Sequence, residues 1–351
     1  MMANILEIDN LRVSFPTDDG EVHAVDNLSL SLSAGETVAI VGESGSGKTV
    51  TSLSVMGLHN PNSTSLSGHI KVYDGEKVVD VVTASREDVR LLRGRVVSMI
   101  FQDPMSSLHP YYKIGNQLAE AYLVHNKGKK AEAKKRVVEM LDLVGIPEPL
   151  KRANEYPHQF SGGMRQRVMI AMALMNTPKI LIADEPTTAL DVTVQAQIFD
   201  LLRDLQQRKG TAILLITHDM GVIAEMCDRV AVMYAGTIVE QGTTAEVLEA
   251  PMHPYTRGLI NCLPESRLSD ADWLAEIPGV VPALSSLGAE CAFKERCEFQ
   301  TAACARSPDL SVALSSVPLM SSVSGDPRPF ARLVACHHPL LASPSSVVSA
   351  P

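Results

Sequence analysis

The chain has 351 residues, long enough for roughly two domains with substantial cores. Its net charge of −9 argues against a nucleic-acid surface, and an aromatic content of 4% against a stacking platform for bases. No apolar run approaches the ~18 residues of a membrane span, and Met1-Met2-Ala3-Asn4-Ile5-Leu6-Glu7 lacks the basic-then-apolar order of a secretion signal, so a soluble cytosolic chain is expected, meeting any membrane through a partner.

Ile5–Ile8 and Leu11–Phe15 read as strand segments ahead of the turn Thr17-Asp18-Asp19-Gly20, and Val25, Leu28, Leu30 and Leu32 alternate on the way to Gly35. Phe15 lies on a strand end, where its ring could stack on adenine, with His23 a weaker candidate; a core position is the simpler reading of a lone Phe. The apolar run Thr37–Val41 then enters Gly42-Glu43-Ser44-Gly45-Ser46-Gly47-Lys48-Thr49, and a helix is expected over Val50–Met56. Strand, glycine loop and helix in that order are the context that the phosphate-loop pattern requires. Gly42, Gly45 and Gly47 let the backbone curl so that amides near Ser44 and Ser46 face one anion. The helix start adds positive potential, Lys48 reaches outer phosphates, and the Thr49 hydroxyl suits Mg²⁺. The loop binds a nucleotide triphosphate.

Arg95–Phe101 is strand-like and ends at Gln102. Residues 103–160 are rich in helix signals, with Val137, Met140, Leu141 and Val144 on one face of Ala131–Val144. Lys127, Lys129, Lys130, Lys134 and Lys135 read as a solvated face, with anionic lipid contact the lesser alternative. Phe160-Ser161-Gly162-Gly163-Met164-Arg165-Gln166-Arg167 opens a helix through Met175, with Ser161 as N-cap and two glycines exposing backbone donors. Its own phosphate loop cannot easily use this second anion site, which points to a nucleotide held by another subunit. Lys179–Ala183 delivers the adjacent carboxylates Asp184 and Glu185 to a strand end, the first suited to Mg²⁺ and the second to an attacking water. Asp191 precedes a helix over Val194–Arg208 stopped by Gly210, and the buried strand Thr211–Thr217 ends at His218, on the same sheet edge as the carboxylates.

Taken together, Gly42–Thr49, Gln102, Ser161-Gly162-Gly163-Met164, Asp184-Glu185, Ala189-Leu190-Asp191 and His218 resemble an ABC-type ATPase, the nucleotide-binding subunit of a transporter, over residues 5–250. The resemblance implies an α/β fold: a RecA-like P-loop core, an N-terminal antiparallel β subdomain and a helical subdomain at about 103–165, within an ATPase domain of residues 1–250. It implies two subunits closing head to tail on two ATP molecules, each site joining one subunit's phosphate loop to the other's Ser161-Gly162-Gly163 loop. Phe15 then stacks on adenine, Lys48 binds the outer phosphates, Thr49 and Gln102 ligate Mg²⁺ with Asp184 in support, Glu185 polarises water and His218 holds the γ-phosphate. Met164 stands where the commonest signature has Gln, leaving the Ser-Gly-Gly donors in place.

Arg229–Tyr234 and Thr237–Gln241 read as strands around Ala235-Gly236, and Thr243–Glu246 as a capping box opening a short helix that Pro251 ends. A further hundred residues hold four of six cysteines as Cys291-x5-Cys297-x6-Cys304-x31-Cys336, while Cys227 and Cys262 read as ordinary buried thiols. Clustered thiols in a cytosolic chain point to metal, either an iron–sulfur cluster or structural zinc, against the alternative of unpaired thiols. His253–Leu259, Cys291–Cys297 and Val334–His337 resemble the oligopeptide/dipeptide permease branch of ABC importers, in which such cysteines can carry a [4Fe–4S] cluster. That resemblance assigns residues 251–340 to a small irregular extension and implies an ATPase of peptide import on the cytoplasmic face of the plasma membrane. Its partners there are a second, different ATPase subunit, two membrane permease subunits and, indirectly, an extracytoplasmic solute-binding protein. Nickel chelates, glutathione and oligosaccharides are the alternative cargoes, and a soluble non-transport ABC ATPase is the alternative role. Ser307–Gly325 is longer than such an extension needs, and the tail at 341–351, only Ser, Pro, Ala and Val after Leu341, is expected to be disordered.

Overall fold

The computed structural model describes residues 4–18, 20–103, 107–187, 191–262, 276–312 and 332–340; Ala189-Leu190, residues 313–325 of the Ser-rich insertion and the tail at 341–351 lie outside them. β1 (Asn4–Thr17) and β2 (Gly20–Ser33) form a long antiparallel hairpin. The two segments expected before Phe15 are one strand, bent where the register shifts between Ile8 and Leu11 and where Asn10 adopts φ 49°. β3 (Thr37–Val41) and α1 (Lys48–Val55) follow, and β4 (Ser65–Asp74) with β5 (Lys77–Asp80) completes a four-stranded sheet in the order β2-β1-β4-β5.

After α2 (Arg86–Leu92) comes β6 (Val97–Ile100), shorter than the apolar run because Gly94 turns back on Val97 through its amide. The helical block consists of α3 (Ile114–Leu123), α4 (Lys130–Leu143) and α5 (Gly162–Leu174). On α4 the expected face is buried, at Val137, Met140, Leu141 and the following Val144, and the lysines are exposed. Two of those lysines pair along the helix surface with Glu132 and Glu139, as a solvated face requires.

β7 (Ile180–Asp184), α6 (Val192–Lys209), β8 (Ala212–Ile216), α7 (Met220–Met226), β9 (Arg229–Tyr234) and β10 (Thr237–Thr243) complete the core. The large sheet runs β11-β12-β10-β9-β3-β8-β7-β6 and is parallel from β9 to β6. Every residue of β3, β7 and β8 is buried, so these strands read as continuous apolar runs rather than alternating ones. Parallel strands end on one edge, and Val41, Asp184 and Ile216 all stop there. That alignment brings together residues distant in sequence.

Beyond α8 (Thr244–Glu249), opened by the Thr243/Glu246 capping box, lies α9 (Pro254–Asn261). The extension is not wholly irregular, since β11 (Ser311–Val312) and β12 (Leu333–Val334) extend the large sheet through β10. A fully buried carboxylate anchors it: Glu240 accepts from the amides of Met252 and His253 at 2.9 Å each and from Arg332 at 2.6 Å. Two amides and a guanidinium supply the hydrogen bonds that a buried charge needs.

His253 caps α9 with its ring, Nδ1 accepting from the Tyr255 amide at 3.1 Å. Burial drives its pKa down to about 3, partly offset by a hydrogen bond to the Ala335 backbone. Because the folded value lies below the ordinary one, the unfolded chain takes the proton first, and stability is lost as pH falls below about 6.5. Between pH 7 and pH 5 urea unfolding should show a loss of about 2 kcal/mol in the native chain that His253→Asn, which retains a capping side chain, does not show. Equal losses in both chains would refute the neutral cap.

Candidate functional site

The loop between β3 and α1 is fixed by steric necessity. A Cβ on Gly42 would lie 2.1 Å from the Met233 carbonyl, and one on Gly47, at φ 102°, would lie 2.5 Å from the Ala24 carbonyl. Ser46 is buried, its amide donating to Glu43 and its carbonyl accepting from Gly236 at 3.0 Å. The Lys48 ammonium turns back into this curl and donates to the carbonyls of Gly42 and Glu43 at 2.8 Å and, more weakly, to Ser46 Oγ at 3.4 Å. Burial lowers its pKa, and Glu185, Asp184 and Glu43 pull it back up. The loop thus holds a cation at its centre with backbone oxygens that an anionic ligand can replace.

Across from Lys48, Asp184 ends β7 with a relative exposure of 1%. Burial raises its pKa, opposed by a hydrogen bond from Thr49 and by the charge of Lys48. Hydroxyl and carboxylate oxygens side by side form a hard donor set that fits Mg²⁺. Glu185 follows with φ 46°, in the left-handed region a glutamate adopts only under constraint, its amide held by the Ile216 carbonyl at 2.8 Å. Its carboxylate accepts from Gln102 Nε2 at 3.0 Å and lies 3.4 Å from His218 Nδ1. Gln102, Glu185 and His218 leave β6, β7 and β8 on the common edge, so three predicted residues meet in one cluster.

The remaining candidates lie around it. Phe15 packs edge-on against His59, ring centroids 5.9 Å apart, while His23 is hydrogen-bonded to Ser14 at 3.0 Å. Ser161 caps α5 by accepting from the Met164 amide, and both Ser161 and Gly162 are exposed, a donor-rich surface facing away from the core. Asp191 caps α6, accepting from Val194 at 3.0 Å. Sequence reasoning missed Gln166, buried and donating to the Pro186 carbonyl at 2.6 Å, which ties the signature helix to the turn carrying Glu185. Its position four residues past Gly162, on the inner face of α5, is the only local signal for it.

Cys291, Cys297, Cys304 and Cys336 line one cavity with His253, Phe293 and Phe299. Burial raises the pKa of Cys291 and Cys297, and carries Cys336 up to about 11. Among the described residues no three His, Cys, Asp or Glu side chains are grouped closely enough to hold a metal ion. Of the two outlying cysteines, Cys227 is buried as expected, and Cys262 is only partly covered.

Residues 25–188 match the ABC transporter family, and residues 239–304 match the C-terminal region of oligopeptide/dipeptide transporters, a stretch that includes three of the clustered cysteines but not Cys336. The chain is 51% identical over 308 residues to the dipeptide transport ATP-binding protein of Bacillus subtilis, covering 87% of this chain and 90% of that one. It is 50% identical over 309 residues to the oligopeptide transport ATP-binding protein of Salmonella typhimurium, covering 88% and 90%. Among solved structures, a dimeric ATP-binding cassette in a post-hydrolysis state with ADP and phosphate superposes at a TM-score of 0.61, at 26% identity over 68% of this chain and 98% of that one.

The cluster around Glu185 predicts that Glu185→Gln lowers the rate of ATP hydrolysis by roughly 10²–10⁴-fold, as loss of a general base does. Steady-state phosphate release checks this, and a rate near that of the native chain would remove Glu185 from the chemistry.

Proposed function

The chain belongs to the ABC transporter family, and we propose that it is the ATP-hydrolysing subunit of an importer of short peptides. The observation that carries the reading is the meeting of Lys48, Asp184, Glu185, Gln102 and His218 at one sheet edge. In this reading the amides of Gly42–Thr49 and the Lys48 ammonium bind the phosphates. Phosphoryl transfer is then accelerated by positioning and charge stabilisation rather than covalent chemistry. Phe15 offers the adenine its ring. Glu185, oriented through both carboxylate oxygens, takes a proton from the attacking water, and His218, largely exposed beside it, contacts the γ-phosphate. Thr49, Gln102 and Asp184 would hold Mg²⁺, which supplies neutralisation of developing charge on the phosphate oxygens.

The exposed Ser161-Gly162-Gly163 start of α5 and the cap at Asp191 belong, in this reading, to the ATP site of a second and different ATPase subunit. No helix among the described residues is long and apolar enough to cross a membrane, which accords with peripheral attachment to two separate permease subunits at the cytoplasmic face. Peptide cargo, delivered by an extracytoplasmic solute-binding protein, follows from the named transport roles of the two bacterial relatives. Residues 1–250 form the ATPase domain and 251–340 the extension, joined through β10 and β12.

The four thiols line one cavity, and a thiolate tetrad suits either an iron–sulfur cluster or structural zinc. Cys291, Cys297, Cys304 and Cys336 would hold a [4Fe–4S] cluster, which supplies a crosslink between segments distant in sequence and an electron-accepting centre.

Protein purified without oxygen should contain about four irons and four sulfides per chain, lost in Cys297→Ser. Zinc, or no metal, would refute the cluster and leave the ATPase reading standing. In vesicles carrying the assembled transporter, a peptide-loaded solute-binding protein should raise ATP hydrolysis. Stimulation by a nickel chelate or glutathione instead would redirect the cargo.

A further inference from the structure

Glu43, the second residue of the phosphate loop, has every polar group committed. Its carbonyl accepts from Lys48, its amide donates to the Tyr255 hydroxyl at 2.8 Å, and its carboxylate is gripped by both terminal nitrogens of Arg296 at 2.7 and 3.1 Å. Two of these three holds come from the extension, more than two hundred residues away in sequence. Arg296 cannot follow a moving carboxylate. Its side chain, 5% exposed, also donates to the carbonyls of Ile277 and Pro278 and lies 3.4 Å from the Tyr234 hydroxyl. Its amide is tied to the Phe293 carbonyl, and the Phe293 ring packs on Tyr234 and Tyr255, with centroids 5.3 and 5.5 Å away.

We propose that Arg296 is a positioning residue for the nucleotide: with Tyr255 it holds Glu43, and so the curl of the phosphate loop, in the geometry that receives phosphates. A planar guanidinium suits this because two parallel hydrogen bonds fix orientation as well as distance. The hold matters most when the Lys48 ammonium exchanges the carbonyls of Gly42 and Glu43 for phosphate oxygens, because the loop then loses its internal tie. An external brace keeps its amides converging. Arg296 sits between Cys291 and Cys297, on a loop whose Cys291 amide is bonded to the Cys304 carbonyl, so the thiol cavity and the nucleotide site form one mechanical unit.

The proposal rests on the assignment of Gly42–Thr49 as the ATP site, and the test separates the two. In the full-length chain, Arg296→Gln should weaken Mg-ATP binding about tenfold while kcat at saturating ATP changes less than about twofold. Arg296→Lys should recover part of the affinity, and Glu43→Gln combined with Arg296→Gln should bind no more weakly than Arg296→Gln alone. An unchanged dissociation constant with reduced kcat, or additive losses in the double variant, overturns the proposal. A measurement on the native chain covers the case in which the variants do not fold: Mg-ATP should slow amide exchange over residues 291–297, and unchanged exchange there overturns the brace. A native chain that binds no ATP would instead refute the assignment of the loop.

Discussion

The structure is organised around a buried ammonium. An isolated cation out of water is costly, and Lys48 is tolerated because two backbone carbonyls accept from it and three carboxylates lie within electrostatic reach. Each requirement constrains something larger. The carbonyls face inward only if Gly42 and Gly47 take conformations and clearances that a side chain would destroy. The carboxylates arrive only because β3, β7 and β8 are parallel and end on one edge. The sheet order therefore serves the charge balance of the loop as much as the packing of the core. Carbonyls are neutral, so a phosphate that replaces them adds charge to a cation already partly desolvated.

Glu185 presents the complementary case, in which strain is tolerated for placement. Its left-handed backbone costs on the order of 1–3 kcal/mol, sustained by the hydrogen bond its amide donates to the Ile216 carbonyl at the end of the neighbouring strand. Gln102 and His218 lie on different carboxylate oxygens, so the carboxylate is oriented rather than merely located. Gln166 fastens the next turn of chain to α5, whose N-terminus carries the Ser-Gly-Gly donors. The sheet edge and the start of α5 thus bear on the same short segment, Glu185-Pro186.

Much of this was legible in the sequence because it is local. Strand, glycine loop and helix follow one another within twenty residues, and the capping box at Thr243 announces its helix without tertiary help. By sequence alone, the apolar runs of β3, β7 and β8 place the phosphate loop, Asp184 and His218 at or just past strand ends. What local patterns do not encode is pairing across long separations. β4 alternates between exposed Ser65, Ser67 and His69 and the better covered Leu66, Ile70 and Val72, but Gly68 interrupts the apolar series. The ion pairs Glu43–Arg296 and Glu240–Arg332 join residues with no spacing rule between them, and β12 gains its strand character only from pairing with β10 and β11. Cys336 lies far from the other three thiols in sequence, yet shares their cavity. The extension reads as an appendage in sequence and behaves as a buttress in three dimensions.

Calorimetric titration of Mg-ATP into the native chain and into Lys48→Ala tests most directly whether phosphates bind at Lys48. One nucleotide should bind per native chain, with an affinity at least about 100-fold lower in the variant, since a charge-assisted contact in a desolvated loop is lost. Equal affinity in the two chains would contradict it.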